Sequence, residues 1–190
     1  MKKTTLIFGT VLALFFISCE GPAGPPGLDG FNGADGVDGA PGPPGPEFEA
    51  VAFEIDIDMV LNPDLNRYEF ALEPFPDDVI LLVDDVVLMY RLEEVNNGLD
   101  VWRQLPQPFF SDQGLLFYNF DFTLNDYSVL VEPEFDASLV PVDLVQNQVF
   151  RIVVIPANLG LSSKMDKSNI DAVMRSLGIE EKDVRKIQLD

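Results

Sequence analysis

Hydrophobic and polar residues alternate over much of the chain between residues 51 and 155, and this alternation predicts β-strands. The clearest run is Val51–Leu61, in which every second residue from Val51 is apolar and Glu54, Asp56 and Asp58 lie between them. Because successive side chains of a strand point to opposite faces of a sheet, one face is predicted to be buried and the other to face solvent.

Six further segments have strand-like patterns, and turn sequences separate most of them. The segment Val86–Glu94 is apolar on both faces, as expected of a strand in the middle of a sheet, and Asn96–Gly98 predicts a hairpin turn after it. Val79–Val83 is apolar but of uncertain state, which makes seven or eight strands. Short strands without intervening helices predict an antiparallel sandwich or a jelly-roll-like domain. The six segments are Tyr68–Leu72, Val86–Glu94, Val101–Leu105, Leu115–Phe122, Tyr127–Val131 and Val149–Ile155.

The last thirty residues change character and predict a short helix. Ser168 is the predicted N-cap, with Asp171 completing a capping box, and Gly178 is the predicted stop. Val184–Leu189 fits either a final strand or a frayed helix. The helix is expected to pack on the sandwich through four apolar residues at helical spacing: Ile170, Val173, Met174 and Leu177.

Before the strands, glycine recurs at every third position from Gly21 to Gly45, in nine unbroken Gly-X-Y triplets that end at Glu47. Only glycine fits at the crowded axis of a collagen triple helix, so the repeat predicts a collagen-like stalk and a possible homotrimer. The middle of the repeat, Leu28–Ala40, has no proline, which makes it the weakest part. The alternative is a single-stranded linker; either form spans about 80 Å when extended.

The N-terminus has the layout of a secretory signal. Lys2 and Lys3 precede the apolar run Leu6–Ile17, which is too short to span a bilayer. Ser18-Cys19 after this run resembles a bacterial lipobox, although Phe16 departs from the usual leucine, and predicts lipidation of Cys19. The alternative is an ordinary signal peptide cleaved near Ser18. Cys19 is the sole cysteine, so no intramolecular disulfide can form.

These features divide the chain into four predicted parts. They are a signal peptide (1–18), a lipidated cysteine with a collagen-like stalk (19–47), a β-sandwich head (48–160) and a helical or extended C-terminal appendage (161–190). The acyl anchor predicts an outer-membrane lipoprotein of the bacterial cell envelope, on a side of the membrane that the sequence leaves open.

Charge and composition exclude several classes of function. The formal net charge is −20, which argues against binding nucleic acid or anionic lipid. The chain has no histidine, so a Ser-His-Asp triad and histidine-ligated zinc are excluded. A glycosidase with two catalytic carboxylates is the least favoured reading among so many acids. The sequence therefore predicts a protein that is not an enzyme and has no resident cofactor, with an unknown surface ligand.

Calcium is the one cation that the sequence suggests, as part of an alternative in which the head binds calcium or carbohydrate. Hard cations prefer several oxygen ligands, and turn segments offer them, although aspartate and asparagine also favour turns for their own sake. The candidate ligands are Asp77, Asp78, Asp84, Asp85, Asn97 and Asp100.

A group of aromatic residues has two interpretations. Its members either form an exposed patch for trimer contact or belong to the sandwich core. They are Phe109, Phe110, Phe117, Tyr118, Phe120 and Phe122.

Several segments resemble the short collagen-like lipoproteins of Bacteroidota-type bacteria. They are C-E-G-P-A-G-P-P-G (Cys19–Gly27), D-V-V-L-M-Y-R-L-E (Asp85–Glu93), D-V-W (Asp100–Trp102) and N-Q-V-F-R (Asn147–Arg151). The resemblance implies an envelope lipoprotein with a β-rich head. That group has no established activity, so it implies no functional residue. A collagen stalk with a β head is also similar in architecture to complement-type trimeric jelly rolls.

Overall fold

The computed structural model describes residues 21–26, 49–159 and 166–189. Residues 21–26 are exposed and have no regular secondary structure, and they belong to a unit separate from the one that begins at Gly45. The predicted signal peptide, the lipidation site Cys19, most of the predicted stalk and the Ser162–Lys164 linker lie outside the described residues.

The described part of the second unit is mainly β, as predicted, with ten strands and one short α-helix, α1 (Ile170–Leu177). The strands are β1 (Val51–Ile57), β2 (Val60–Asn62), β3 (Arg67–Pro74), β4 (Val86–Asn96), β5 (Leu99–Gln104), β6 (Gln107–Ser111), β7 (Gly114–Phe122), β8 (Asp126–Pro133), β9 (Gln148–Ile155) and β10 (Arg185–Ile187).

The strands form two five-stranded sheets. The first sheet has the order β10-β1-β9-β4-β5 and the second has the order β2-β3-β8-β7-β6. Neighbours pair antiparallel, except that β10 runs parallel to β1. One core of apolar side chains from both sheets lies between them, which makes the unit a β-sandwich.

The alternation in β1 places Phe53, Ile55 and Ile57 in this core, as predicted. The Phe53 ring meets Phe75 edge-on at 6.5 Å between centroids. β4 lies between β9 and β5, which confirms its predicted central position. Its Met89 side chain faces the core between the sheets.

The prediction of one strand over Val51–Leu61 is wrong, because the run crosses from the first sheet to the second. β1 ends at Ile57, and β2 begins at Val60 as the edge strand of the other sheet. The crossing is held by two hydrogen bonds: the Asn147 backbone N–H donates to the Asp58 carboxylate (2.8 Å), and the Met59 N–H donates to the Val145 carbonyl (2.8 Å).

The strand β6 was not predicted, because Pro106 and Pro108 interrupt the local pattern. Pro106 follows a cis peptide bond, and Pro108 lies within β6. β6 is an edge strand, where proline costs the sheet little since one side of the strand needs no donor. Val79–Val83, whose state the sequence left open, forms no strand.

The helix α1 has the predicted apolar face, with Ile170, Val173 and Met174 buried. Its N-cap is Asn169 and not Ser168, since the Asn169 side chain accepts a hydrogen bond from the Ala172 N–H, whereas the Ser168 hydroxyl donates to Asp166. Gly178 ends the helix in the left-handed conformation (φ 72°), as predicted.

The helix covers the outer face of the first sheet, which corrects one feature of β1. Its buried residues pack with Leu88, Tyr90 and Val153 in a second apolar cluster, and Ile179 packs against that cluster. Glu54, predicted to face solvent, is therefore buried beneath the C-terminal segment. The same segment supplies β10, which answers the open question about Val184–Leu189 in favour of a strand.

The sandwich has two ends, which we name by the course of β1. The proximal end is where β1 begins, beside the end of β9 and the start of β4, and it carries the connections 75–85, 123–125 and 156–159. The distal end is where β1 ends, and it carries the connections 58–59, 63–66, 97–98, 112–113 and 134–147.

Candidate functional site

The distal end presents large apolar side chains to solvent on or beside all five of its connections. Exposed apolar groups gathered on one end of a domain are a common feature of protein-binding surfaces. Phe110, on β6, is 79% exposed and is the largest of them. The full set is Val60, Leu65, Val95, Leu99, Phe110, Leu139 and Val142.

Side chains hold the distal connections in defined positions. Asn66, in a left-handed turn conformation, donates from its amide to the Phe135 carbonyl (2.9 Å) and accepts from the Ala137 N–H (2.8 Å). The Tyr118 hydroxyl donates to the Leu144 carbonyl (2.9 Å). A surface whose backbone is already ordered loses less conformational entropy when a partner binds.

A buried arginine supports this end from inside the sandwich. Arg91 projects from β4 between the sheets, with its guanidinium 4.1 Å from the centre of the Tyr118 ring, and its Nε donates to Gln148 (2.9 Å). The Gln148 amide in turn donates to the carbonyls of Asp143 and Gln146, both at 2.8 Å. Arg91 thus connects the core to the 134–147 connection.

The electrostatics of Arg91 fit a structural role. Burial lowers the pKa of its guanidinium, and the nearby Tyr118 and Glu93 oppose that shift. Its Nη1 has no hydrogen-bond partner among the described residues. Because the side chain is buried, this charge is shielded from molecules in solution. Sequence reasoning missed the group, because both faces of β4 are apolar: alternation puts Arg91 on the face of Val87 and Met89, but it does not tell which face meets the second sheet.

A second buried arginine clamps the C-terminal segment to the first sheet. Arg151 projects from the outer face of β9 and is 2% exposed. Its Nε donates to Glu54 (2.9 Å), its Nη1 donates to Glu181 (2.9 Å), and its guanidinium lies 4.4 Å from the centre of the Trp102 ring. Burial alone would lower the pKa of Arg151, but the hydrogen bonds that its guanidinium donates to Glu181 and Glu54 outweigh burial and raise the pKa. This cluster joins β1, β9 and the C-terminal segment.

The proximal end carries a second set of exposed apolar side chains. Three lie in one loop, where Ile80 is 65% exposed and Val83 is 84% exposed, and Leu82 is exposed as well. The chain enters between two shallow grooves, of about 740 and 320 Å³, whose linings share Glu49, Val51 and Asp78. The proximal set is Ile80, Leu82, Val83, Phe122, Leu124 and Leu159.

The predicted calcium ligands lie in different parts of the head. Asp78 forms an ion pair with Arg185 (2.6 Å). The Asp85 carboxylate accepts hydrogen bonds from the N–H groups of Leu82 (2.8 Å) and Ala157 (3.0 Å). The Asn97 amide donates to its neighbour Asn96 (2.9 Å). Three of the six candidates therefore have partners of their own.

The length of β4 separates these candidates further. Asp84 and Asp85, like Asp77 before them, precede β4 at the proximal end, whereas Asn97 and Asp100 follow it at the distal end. An eleven-residue strand spans roughly 33 Å, far beyond the reach of one coordination sphere. In the described ranges, no three acidic residues are grouped in a way that could hold a metal ion. The six candidate residues therefore form no common site, and calcium binding stays a prediction.

The aromatic group divides between the two interpretations made from the sequence. Tyr118 is fully buried, and Phe109 and Phe120 pack against the core. Phe110 points outward, and Phe122 is partly exposed at the proximal end, where it stacks on Phe120 at 6.0 Å. Phe117 is half-buried and, next to Tyr118 on β7, lies on the opposite face of that strand. Three of the six aromatic residues therefore belong to the core.

No helix within the described residues is long and apolar enough to cross a membrane. No protein-family model matches the chain, and neither a curated protein nor a solved structure is significantly similar to it. Function is therefore inferred from the residues and their arrangement.

Stability is expected to fall in alkaline solution because of buried tyrosines. Burial raises the pKa of Tyr118 from 10 to about 12, and burial also raises the pKa values of Tyr90 and Tyr127. The folded state holds these hydroxyl protons more tightly than the unfolded state. Their contribution to the free energy of unfolding is therefore complete below pH 10, and it is lost as the pH rises through the folded-state pKa. Urea unfolding at about pH 9 and about pH 11 should show the loss, and Tyr118→Phe should reduce it. An equal pH dependence in that variant would contradict the assignment.

Proposed function

We propose that this chain is a non-enzymatic lipoprotein of the bacterial cell envelope, whose β-sandwich head binds a macromolecular partner. A collagen-like stalk joins the head to the acyl anchor and unites three copies. The observation that carries the proposal is the set of apolar side chains exposed on or beside the five distal connections. They lie at the end of the head opposite to the point where the chain enters from the stalk.

The distal surface has the chemistry of a binding face for protein. Protein interfaces bury an apolar centre inside a polar rim. Phe110 and Leu99 supply apolar groups; the exposed Asp112 follows Phe110 in its hairpin, and Asn97 and Asp100 lie beside Leu99. The bonds of Asn66 and Tyr118 keep the surface in shape without a ligand. The absence of histidine from the whole chain supports a role in binding over catalysis.

Three sites in place of one would strengthen a weak interaction. Linked binding sites act at a high effective concentration, so their combined affinity can exceed that of one site by roughly 100-fold or more. A stalk of nine triplets holds the heads about 80 Å from the bilayer, which gives them access to large partners.

Cys19→Ala is expected to move the protein from the membrane fraction to the soluble fraction. An acyl anchor contributes about 0.8 kcal/mol of membrane-binding free energy for each buried methylene, and we propose no other attachment to the membrane. Fractionation of cells that express the full chain, followed by immunoblotting, measures the change.

Ser18→Ala is the matched control, since it keeps a small residue before an intact Cys19 and should stay in the membrane fraction. Membrane association of Cys19→Ala equal to that of Ser18→Ala would overturn the lipoprotein proposal. Protease treatment of intact cells identifies the side of the membrane on which the head lies.

A further inference from the structure

We infer that the proximal loop Ile80–Val83, together with Leu159, is the surface through which each head contacts a second copy of this chain. The inference rests on the trimer in the proposed function and names the part of the head that completes it. The three exposed side chains of the loop and Leu159 form the proximal patch. The patch borders the grooves on either side of Val51, where the chain enters β1.

The position of the repeat determines which surfaces can meet. The last triplet ends at Glu47, and β1 begins at Val51, so the chain between them spans at most about 14 Å. Three chains wound in register therefore bring three copies of Val51 close to one axis. Surfaces tethered this closely act on each other at millimolar effective concentration, so a small apolar contact is enough to associate them.

The distal end is less constrained by the link than the proximal end, because it lies far from Val51. The strand β4 begins near the proximal patch and carries the chain about 33 Å to the distal hairpin. The three-residue link after Glu47 keeps Val51, and with it the proximal patch, near the axis in every orientation of the heads, whereas the distal ends come near the axis only if the heads lie along it. The exposed Phe110 thus lies on the partner-binding end and the exposed Val83 lies on the self-association end.

The loop is built to hold its apolar groups outward. Leu81 is buried and anchors the loop in the core, while Leu82 donates its N–H to the Asp85 carboxylate (2.8 Å). The Asp85 N–H returns a bond to the Leu82 carbonyl (3.1 Å), and the other carboxylate oxygen accepts from Ala157. Asp85 therefore joins the loop to the connection that bears Leu159. A loop fixed by one buried side chain and these bonds keeps Ile80 and Val83 in solvent unless a partner covers them.

Charge limits which surfaces can meet at this end, where Asp77 and Asp84 are exposed beside the patch. Every head is strongly acidic, so copies repel each other unless uncharged surfaces meet. At the patch, Arg185 neutralises Asp78 through an ion pair at 2.6 Å. The stalk needs this help, because its centre lacks proline and places Asp29, Asp35 and Asp38 from three chains close together.

Sedimentation velocity of the full chain, extracted from membranes in detergent, tests the inference. Ile80→Glu with Val83→Glu places two charges in the patch, at exposed positions where the fold of one head tolerates them. We expect the wild-type chain to sediment as a trimer at micromolar concentration. The double variant should need at least about tenfold higher concentration to assemble.

Val95→Glu with Leu99→Glu is the matched control, because it adds the same charge at exposed positions of the distal end. It should remain a trimer under the conditions that dissociate the proximal variant. If both variants remain trimers to the same extent, the inference is wrong while the stalk trimer stands. If the wild-type chain is a monomer, the trimer of the proposed function fails and the inference fails with it.

Cross-linking identifies the occupant of the patch directly. With a short bifunctional maleimide, Val83→Cys should link to itself and give a dimer of chains on a denaturing gel, whereas Leu99→Cys should not. The wild-type chain, treated in parallel, reports any reaction of Cys19. Two results would overturn the assignment to a second copy. The first is a cross-linked product that joins Val83→Cys to a different protein. The second is binding to phosphatidylcholine vesicles that the wild-type chain shows and the Ile80→Glu, Val83→Glu variant loses.

Discussion

Arg151→Ala is expected to lower the free energy of unfolding by about 3–5 kcal/mol. Removing one partner of a buried ion pair leaves the other charge buried without compensation, and Glu54 is the residue left behind. Lys186 lies 3.5 Å from the second Glu54 oxygen but is itself exposed, so it cannot replace the guanidinium that fills the space beneath Trp102. Urea unfolding followed by Trp102 fluorescence measures the change.

Arg103→Ala is the matched control, because Arg103 also pairs with a glutamate, Glu93, but is exposed on β5. Exposed ion pairs contribute little, so this variant should unfold close to the wild-type midpoint. Glu181→Gln should also have a small effect, since its side chain is 70% exposed and remains a hydrogen-bond acceptor. Equal losses for Arg151→Ala and Arg103→Ala would show that the C-terminal segment does not depend on the buried cluster.

Tyr118→Ala is expected to cost about 3–5 kcal/mol, through the cavity that it leaves between the sheets. Tyr118 is fully buried, packs edge-on against Phe109 at 6.2 Å and lies beneath the Arg91 guanidinium. The substitution also removes the hydroxyl bond to Leu144, so the 134–147 connection should lose protection from amide hydrogen exchange before the rest of the head. Chemical denaturation and hydrogen exchange measure the two effects.

Two further variants separate the causes. Tyr118→Phe keeps the ring and removes one hydrogen bond, so it should cost about 1 kcal/mol. Phe110→Ala removes an aromatic ring from the same hairpin but from its exposed face, and should change stability by no more than about 0.5 kcal/mol. A large loss of stability in Phe110→Ala would mean that this ring is buried, and Phe110 would then not belong to the distal binding surface.

The two kinds of aromatic position show how far the sequence could be interpreted. Alternation placed Leu116 and Tyr118 on one face of β7, and that face is the core. Alternation could not identify β6, because prolines interrupt its pattern of apolar and polar residues. This segment is a strand only because it pairs with β7. Phe109 and Phe110 are neighbours in sequence, and only this pairing decides which of them is buried.

The functional surfaces were less predictable than the fold. The acidic turns predicted Asp77, Asp84 and Asn97 as calcium ligands. However, the strand β4 lies between Asp84 and Asn97 and places them at opposite ends of the head. Apart from the Ile80–Val83 loop, the apolar residues of the two ends come from segments that are far apart in the sequence. They become surfaces only because the antiparallel sheets return each connection to one of two ends.

Features that depend on neighbours along the chain could be predicted from the sequence. The structure confirms most of the strands, the apolar face of α1 and its stop at Gly178, while the triplet stalk and the lipidation of Cys19 stay predictions. Three features could be seen only in the folded chain: the Val51–Leu61 run divides between two sheets, Glu54 is buried against Arg151, and the face of β4 that bears Arg91 is the one between the sheets. The reason is physical: periodicity and capping act within a few residues, whereas burial and charge pairing depend on strands that meet from distant parts of the chain.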